Sequence, residues 1–166
     1  MKDNTIQKLA KAGLLAAMIF LLTAVVSIPI PGGAGYINLG DAGVLTAAAL
    51  LGGWWGAACA GIGSALADLF LGFGVYAPAT LVIKGGMALL AAFLLKKMPK
   101  KLSIVALLLS ALLVPVGYFV YESLLYGVPS AWVNVGFNTM QCIVGALVAQ
   151  VLIAAIHVAT GTGKKD

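Results

Sequence analysis

The stretch GSALADLFLGFGVYAPATLVIKGG, residues 63–86, places Asp68 and Lys84 inside two otherwise apolar segments. The letters GFG and the following Pro78 interrupt these segments, because glycine favours turns and proline lacks a backbone donor. Ionisable groups at membrane depth are costly, so they are usually paired, or face a wet cavity, or both. The stretch therefore predicts two apolar helices joined by a turn, with both charges either paired or facing a cavity.

The rest of the chain continues this apolar pattern. It has 166 residues, of which 62% are hydrophobic and 9% are charged, whereas soluble domains average roughly 25% charged residues. Apolar runs of about 17 to 25 residues recur, which is the length of a membrane-spanning helix. The first run lacks a convincing signal-peptidase site, so we expect it to be retained. We predict an all-α membrane protein with a single transmembrane domain over residues 1–166.

Breaks in the apolar pattern divide the chain into helices. They lie at PIPGGAG (29–35), GGWW (52–55), GFG with Pro78, KKMPKK (96–101) and YGVPS (126–130). We predict a compact bundle of six transmembrane helices near residues 9–28, 39–53, 55–72, 79–97, 102–122 and 133–159. The second is too short to cross a core of about 30 Å unaided. We therefore expect it to be buried among neighbours or extended by irregular backbone.

The positive charges predict the orientation of this bundle. The net charge of +5 comes from lysine alone, without arginine. Nine of the ten lysines flank the first helix, lie in the fourth connection or lie near residue 166: Lys2, Lys8, Lys11, Lys96, Lys97, Lys100, Lys101, Lys164 and Lys165. Six helices place all three groups on one side, which the positive-inside rule makes cytoplasmic. We therefore predict a cell-membrane protein with both termini in the cytoplasm, and no nucleic-acid partner.

Polar and aromatic side chains gather at the opposite, external helix ends. This asymmetry predicts a pocket open to the outside and roofed by the first, third and fifth loops. The predicted substrate-binding residues are Tyr36, Asn38, Lys84, Tyr118, Glu122, Trp132, Asn134 and Asn138. Few charges and several aromatic rings favour a small, planar, uncharged or zwitterionic ligand.

The segment from Tyr36 to Gly86 resembles the substrate-binding S components of energy-coupling factor (ECF) transporters. The resemblance rests on NLGD (38–41), GSALADL (63–69) and TLVIKG (80–85), and is strongest to the pyridoxine and hydroxymethylpyrimidine branch. It implies six helices, a vitamin-type ligand near the external face and no ATPase activity in this chain. It also implies three partners, a transmembrane coupling subunit and two cytoplasmic ATPases. Pyridoxine, hydroxymethylpyrimidine and riboflavin all remain possible cargoes.

The same resemblance implies that small residues on the first helix contact the coupling subunit. Ala12 and Ala16 stand four apart, with Gly13 and Ala17 beside them. This spacing puts each pair on one helix face, where small side chains let two helices approach closely. Ala12 and Ala16 are therefore the predicted partner contacts, and ordinary internal packing is the alternative.

The buried charges allow two interpretations. Asp68 and Lys84 form an ion pair that fastens the third helix to the fourth, or Lys84 donates to the ligand while Asp68 orients it. Asp41 follows Gly40 at the expected start of the second helix, where a carboxylate caps free backbone donors. Asn38 is a competing cap, or a loop residue that closes over the ligand.

The last two helices carry the remaining candidates. Glu122 shares a helix face with Tyr118 and is either solvated or recognises an amino or hydroxymethyl group. Asn134, Asn138 and Gln141 form one stripe, and their amides suit a pyridine or pyrimidine edge. Trp132 either stacks on the ligand or anchors the helix at the membrane interface.

Catalytic and metal-dependent functions find little support in the sequence. The chain has one histidine and no arginine, and it lacks a Ser/His/Asp grouping on one membrane side. Cys59 and Cys142 lack the spacing of a metal site and are expected to be packing residues. Ser64 is expected to permit close packing. We predict no enzyme activity, no metal and no cofactor. A self-contained carrier or channel is disfavoured, because no clear inverted repeat is present.

Overall fold

The computed structural model describes residues 2–30 and 35–161, with side chains from Thr5 onward. Its elements are α1 (Lys2–Val25), β1 (Ser27–Pro29), β2 (Tyr36–Asn38), α2 (Gly40–Leu51), α3 (Gly53–Phe70), α4 (Ala77–Lys97), a 3-10 turn (Lys100–Leu102), α5 (Ser103–Ala111), α6 (Leu113–Tyr126) and α7 (Val128–Ala159). Because Leu112 alone separates α5 from α6, the described residues form six helical segments. Four of these are long and apolar enough to cross a membrane: Thr5–Val25, Ala77–Lys97, Lys100–Tyr126 and Val128–Ala159.

The first connection differs from the all-helical prediction. Helix α1 ends at Val25 rather than near residue 28, and strands β1 and β2 pair antiparallel with Ile28 opposite Ile37. The hairpin gives the extended backbone a partner for part of its donors and acceptors, which an apolar setting requires. Residues 31–34 of the predicted break, and Lys164 and Lys165 of the topology argument, lie outside the described residues.

Proline positions explain several of the other differences in helix bounds. Helices α4 and α7 begin earlier than expected, because Pro78 and Pro129 lie in their first turns, where no backbone donor is needed. The predicted fifth helix is divided, since α5 ends at Ala111, four residues before Pro115. Within a helix, the ring of Pro115 would clash with the carbonyl of Ala111, and proline has no backbone N–H to donate to that carbonyl.

The short helix α2 lies inside the bundle. Every residue from Gly40 to Ala48 is buried, and the helix packs against α1, α3, α4 and α7. Small side chains fill much of the surrounding core, which includes Ala60, Ala88 and Ala146. Small residues let helix backbones approach closely, which is how apolar helices associate in a membrane. The outer surface of the bundle is rich in large apolar side chains, as a lipid-facing surface requires.

Candidate functional site

A cavity lies at the end of the bundle where the β1–β2 hairpin meets the helices. Its lining comes from the end of α1, the hairpin, the second half of α3, the α3–α4 connection, the first half of α4, the middle of α6 and the first half of α7. The lining residues are Thr23, Ile30, Gly35, Tyr36, Asn38, Ser64, Asp68, Phe73, Tyr76, Thr80, Lys84, Tyr118, Glu122, Asn138 and Gln141. Residues far apart in sequence thus form one polar and aromatic site.

Lys84, which lines this cavity, forms an ion pair with Asp41. Lys84 Nζ donates to Asp41 Oδ1, and the two side chains are 4% and 0% exposed. Gln141 Nε2 donates to Asp41 Oδ2 at 2.9 Å, and its Oε1 accepts from the backbone N–H of Asn38 at 2.8 Å. The network therefore joins α2, α4, α7 and the hairpin.

This network corrects two expectations about the acidic residues. The direct ion-pair partner of Lys84 is Asp41 rather than Asp68, so the predicted Asp68–Lys84 ion pair is wrong. Asp41 uses its carboxylate for Lys84 and Gln141, and no side-chain hydrogen bond caps α2 at its N-cap residue. Asn38 instead accepts from the N–H of Gly40 through its Oδ1 at 2.8 Å.

Asp68 faces the hairpin. Tyr36 donates its hydroxyl to Asp68 Oδ1 at 2.6 Å, which fixes strand β2 above α3. Burial and then the neighbouring Asp68 carboxylate raise the pKa of the Tyr36 phenol well above its ordinary value. The phenol therefore remains a neutral donor over the physiological pH range.

Glu122 forms a second carboxylate centre on α6. Its Oε1 accepts from Tyr76 at 3.3 Å and from the Asn134 amide at 2.9 Å. Glu122 is only 3% exposed and contacts these neutral donors rather than solvent. The interpretation of Glu122 as a solvated carboxylate is therefore wrong. Asn134 is a neighbour that orients Glu122 and does not itself line the cavity.

Three buried polar atoms in the cavity wall have no hydrogen-bond partner among the described residues. They are Asp68 Oδ2, Glu122 Oε2 and Ser64 Oγ. An unsatisfied buried polar atom costs free energy, and such atoms are rare in folded proteins. A ligand that supplies hydrogen bonds to these atoms would remove that cost.

Aromatic rings form the remaining wall. The ring centroids of Tyr36 and Phe73 lie 4.9 Å apart, those of Phe73 and Tyr76 6.4 Å, and those of Tyr76 and Tyr118 6.1 Å. Tyr118 also shares a 2.7 Å hydrogen bond with Thr80 and lies under Lys84 Nζ, which is 5.6 Å from its ring centroid. This wall suits a planar ligand.

Six of the eight predicted substrate-binding residues line the cavity: Tyr36, Asn38, Lys84, Tyr118, Glu122 and Asn138. Trp132 does not, since its side chain is 63% exposed and packs against Phe119 in a tilted arrangement, with 5.1 Å between ring centroids. Thr23, Ser64, Phe73 and Thr80 also line the cavity. The sequence patterns predict no ligand contact for these residues, and they predict a packing role for Ser64. The spacing of Ser64 and Asp68, one helical turn apart, was the available signal for a shared face.

The predicted partner contacts on α1 lie closer to the core than expected. Ala12 is buried at 7% exposure, and Ala16 packs so tightly against α3 that a Cβ on Gly63 would lie 2.6 Å from the Ala16 carbonyl. Gly13 and Ala17, their sequence neighbours, are exposed. Among the described side chains, internal packing thus accounts for Ala12 and much of Ala16.

Comparison with known proteins gives three matches. A family model described as ECF-type riboflavin transporter, S component, matches residues 3–158. The chain is 37% identical over 158 residues to the thiamine precursor transporter HmpT of Lactococcus lactis subsp. cremoris (strain MG1363), covering 95% of this chain and 92% of that protein. It is 32% identical over 127 residues to an uncharacterized protein in the gap 3' region of Pyrococcus woesei, covering 76% and 85%. The family model and the Lactococcus relative are described as transport proteins.

Proposed function

Because the chain belongs to the S-component family of ECF-type transporters, we propose that it captures a hydroxymethylpyrimidine-type vitamin precursor for uptake. The observation that carries this proposal is the cavity, in which unsatisfied polar atoms lie beside a wall of aromatic rings. Such a site suits a small planar ring with polar substituents. The relative named as a thiamine precursor transporter supports the same class of cargo.

The proposed orientation follows the lysines. Six membrane-crossing segments put both termini in the cytoplasm and the cavity at the outer face of the cell membrane. The ligand then enters from outside, between the β1–β2 hairpin and the ends of α4 and α6. Tyr36 and Asn38 hold that hairpin through Asp68 and Gln141.

Energy for uptake comes from other subunits in this proposal. The partners are a transmembrane coupling subunit and two cytoplasmic ATPases, as in the family that the sequence resembles. The proposed contact on α1 is its exposed small face, with Gly13 and Ala17 rather than the more buried Ala12 and Ala16. Small residues there allow a partner helix to approach closely.

Ligand binding to the purified protein tests the proposal. The protein in detergent is titrated calorimetrically with 4-amino-5-hydroxymethyl-2-methylpyrimidine, pyridoxine and riboflavin, without ATP or other subunits. Saturable binding of the pyrimidine with at least tenfold preference supports the proposed cargo. Preferential binding of pyridoxine or riboflavin would support the S-component role but identify a different cargo. Absence of binding by all three to folded protein contradicts the proposal.

A self-contained carrier is the alternative function. Cells that express this chain alone, and cells that also express a coupling module, are compared for uptake of the radiolabelled ligand. Uptake that needs the coupling module and ATP supports the proposal, whereas equal uptake by this chain alone favours the carrier.

A further inference from the structure

The described lining of the cavity contains two acidic side chains and one basic side chain. Lys84 is the one cationic residue among the described lining residues, and it is engaged by Asp41. Asp68 and Glu122 remain, at 4% and 3% exposure. Lys84 attracts Asp68 electrostatically but makes its ion pair with Asp41, and the hydrogen bonds described for the two carboxylates come from neutral hydroxyl and amide donors. A buried carboxylate without a cation is costly. The cavity is therefore built to receive a ligand that donates hydrogen bonds or carries positive charge.

The two carboxylates differ in what they can recognise. Glu122 offers one unpartnered oxygen, Oε2, which as a carboxylate oxygen only accepts. Asp68 Oδ2 lies on the same helix face as the unpartnered Ser64 Oγ, one turn away. A serine hydroxyl both donates and accepts. Glu122 thus suits an N–H donor, whereas Asp68 with Ser64 suits a hydroxyl group, which also donates and accepts.

We propose that Glu122 and Asp68 determine ligand specificity by binding two different substituents of one heteroaromatic ring. Glu122 accepts from a ring amino group, and Asp68 with Ser64 binds a hydroxymethyl group. The aromatic wall of Tyr36, Phe73 and Tyr76 lies beside the ring. This inference deepens the proposed function and rests on it, because it assigns the substituents by which the cargo is selected.

The arrangement also excludes two related classes of compound. A 4-oxo ring places a carbonyl oxygen against Glu122, where two acceptors repel each other. A phosphate ester of the hydroxymethyl group brings negative charge to Asp68, and like charges in a poorly solvated site are unfavourable. The cavity therefore selects the free, amino-substituted precursor over its deaminated and phosphorylated forms.

The test compares three ligands on the wild-type protein and on two isosteric variants. The ligands are 4-amino-5-hydroxymethyl-2-methylpyrimidine, its 4-oxo counterpart and its phosphate ester, titrated calorimetrically. The wild type is expected to bind the amino compound about 10- to 100-fold more tightly than either analogue, the range for losing a hydrogen bond to a charged group. Glu122→Gln supplies an amide donor for the oxo group, so it should reduce the amino-to-oxo ratio at least tenfold.

Asp68→Asn is the matched variant. It should weaken binding of both uncharged ligands by a similar factor and leave the amino-to-oxo ratio near its wild-type value. It should also reduce the discrimination against the phosphate ester, because it removes the repelling charge. Ser103→Ala, at the opposite end of the bundle on α5, serves as the control and should change no affinity.

Each outcome bears on the inference. An amino-to-oxo ratio near one in the wild type, or a ratio that Glu122→Gln leaves unchanged, overturns it. If Glu122→Gln does not fold, the wild-type ratio decides. Saturable binding of pyridoxine or riboflavin alone overturns this inference while leaving the S-component role intact. If the wild type binds no compound of either panel, the proposed function itself fails.

Discussion

At the residue scale, two of the few charged residues, Lys84 and Asp41, form one buried network with Gln141. Lys84 balances Asp41, and Gln141 occupies the second oxygen of that carboxylate. Such a pair contributes little net stability compared with an apolar core, but removing one partner leaves an uncompensated charge. The pair fixes the relative positions of α2, α4 and α7 beneath the ligand site.

Replacing Lys84 tests this role. Lys84→Met should lower the free energy of unfolding by about 3–5 kcal/mol, because Asp41 is left buried without its cation. Thermal unfolding in detergent, followed by circular dichroism, measures the change. The double variant Lys84→Met/Asp41→Leu should recover a large part of the loss. A single variant as stable as the wild type would contradict the pairing.

The exposed Trp132 provides a second prediction at this scale. Trp132→Phe should change ligand affinity by less than about twofold, since the side chain packs on Phe119 outside the cavity. The comparison variant is Tyr118→Phe, which removes a hydroxyl that lines the cavity and bonds Thr80. Calorimetric titration measures the ligand affinity of both variants. A large loss of affinity in Trp132→Phe would place the ligand against the outer face of α7.

At the scale of elements, close backbone approach decides how the helices meet. A Cβ on Gly145 of α7 would lie 2.7 Å from the Asp41 Cβ, so glycine permits the approach of α7 to α2. That approach brings Gln141 within hydrogen-bonding distance of Asp41. The interruption at Leu112, three residues before Pro115, separates α5 from α6, which carries Tyr118 and Glu122.

Adding a methyl group at this contact should separate the two helices. Gly145→Ala should lower the free energy of unfolding by about 1–3 kcal/mol through overpacking, and weaken ligand binding by disturbing Gln141. Gly136→Ala on the same helix is the control, since a Cβ there meets nothing within 4 Å. The control should be neutral or stabilising by up to about 1 kcal/mol. Equal stability of the two variants would contradict this packing.

At the scale of the whole molecule, the predicted S-component family is confirmed, and the Lactococcus relative agrees with the predicted branch. The bundle has two functional regions in our proposal. The cavity binds the cargo at one end, and the exposed small face of α1 meets the coupling subunit. Since Gly13 and Ala17 are exposed and do not line the cavity, the two functions are separable.

Larger residues on that face should separate binding from uptake. Gly13→Leu/Ala17→Leu should leave calorimetric ligand affinity unchanged and reduce uptake by at least tenfold in cells that express the coupling module. Gly136→Leu, equally exposed but on α7, should reduce neither. Copurification of the coupling subunit locates the defect. Loss of ligand binding and uptake together would indicate that this turn of α1 supports the fold instead.

The sequence by itself determined the membrane class, the connections between the six helical segments and most of the polar residues at the cavity. Those features follow from local chemistry, because apolar length, proline, glycine and the cost of buried charge are properties of short segments. Only the tertiary structure decided which residues meet. Asp41, Asp68 and Lys84 were all visible as costly groups, but their pairing depends on how α2, α3 and α4 pack. The inward position of Ala12 and the unpartnered oxygens of Asp68 and Glu122 depend on the same contacts, which span many residues of sequence.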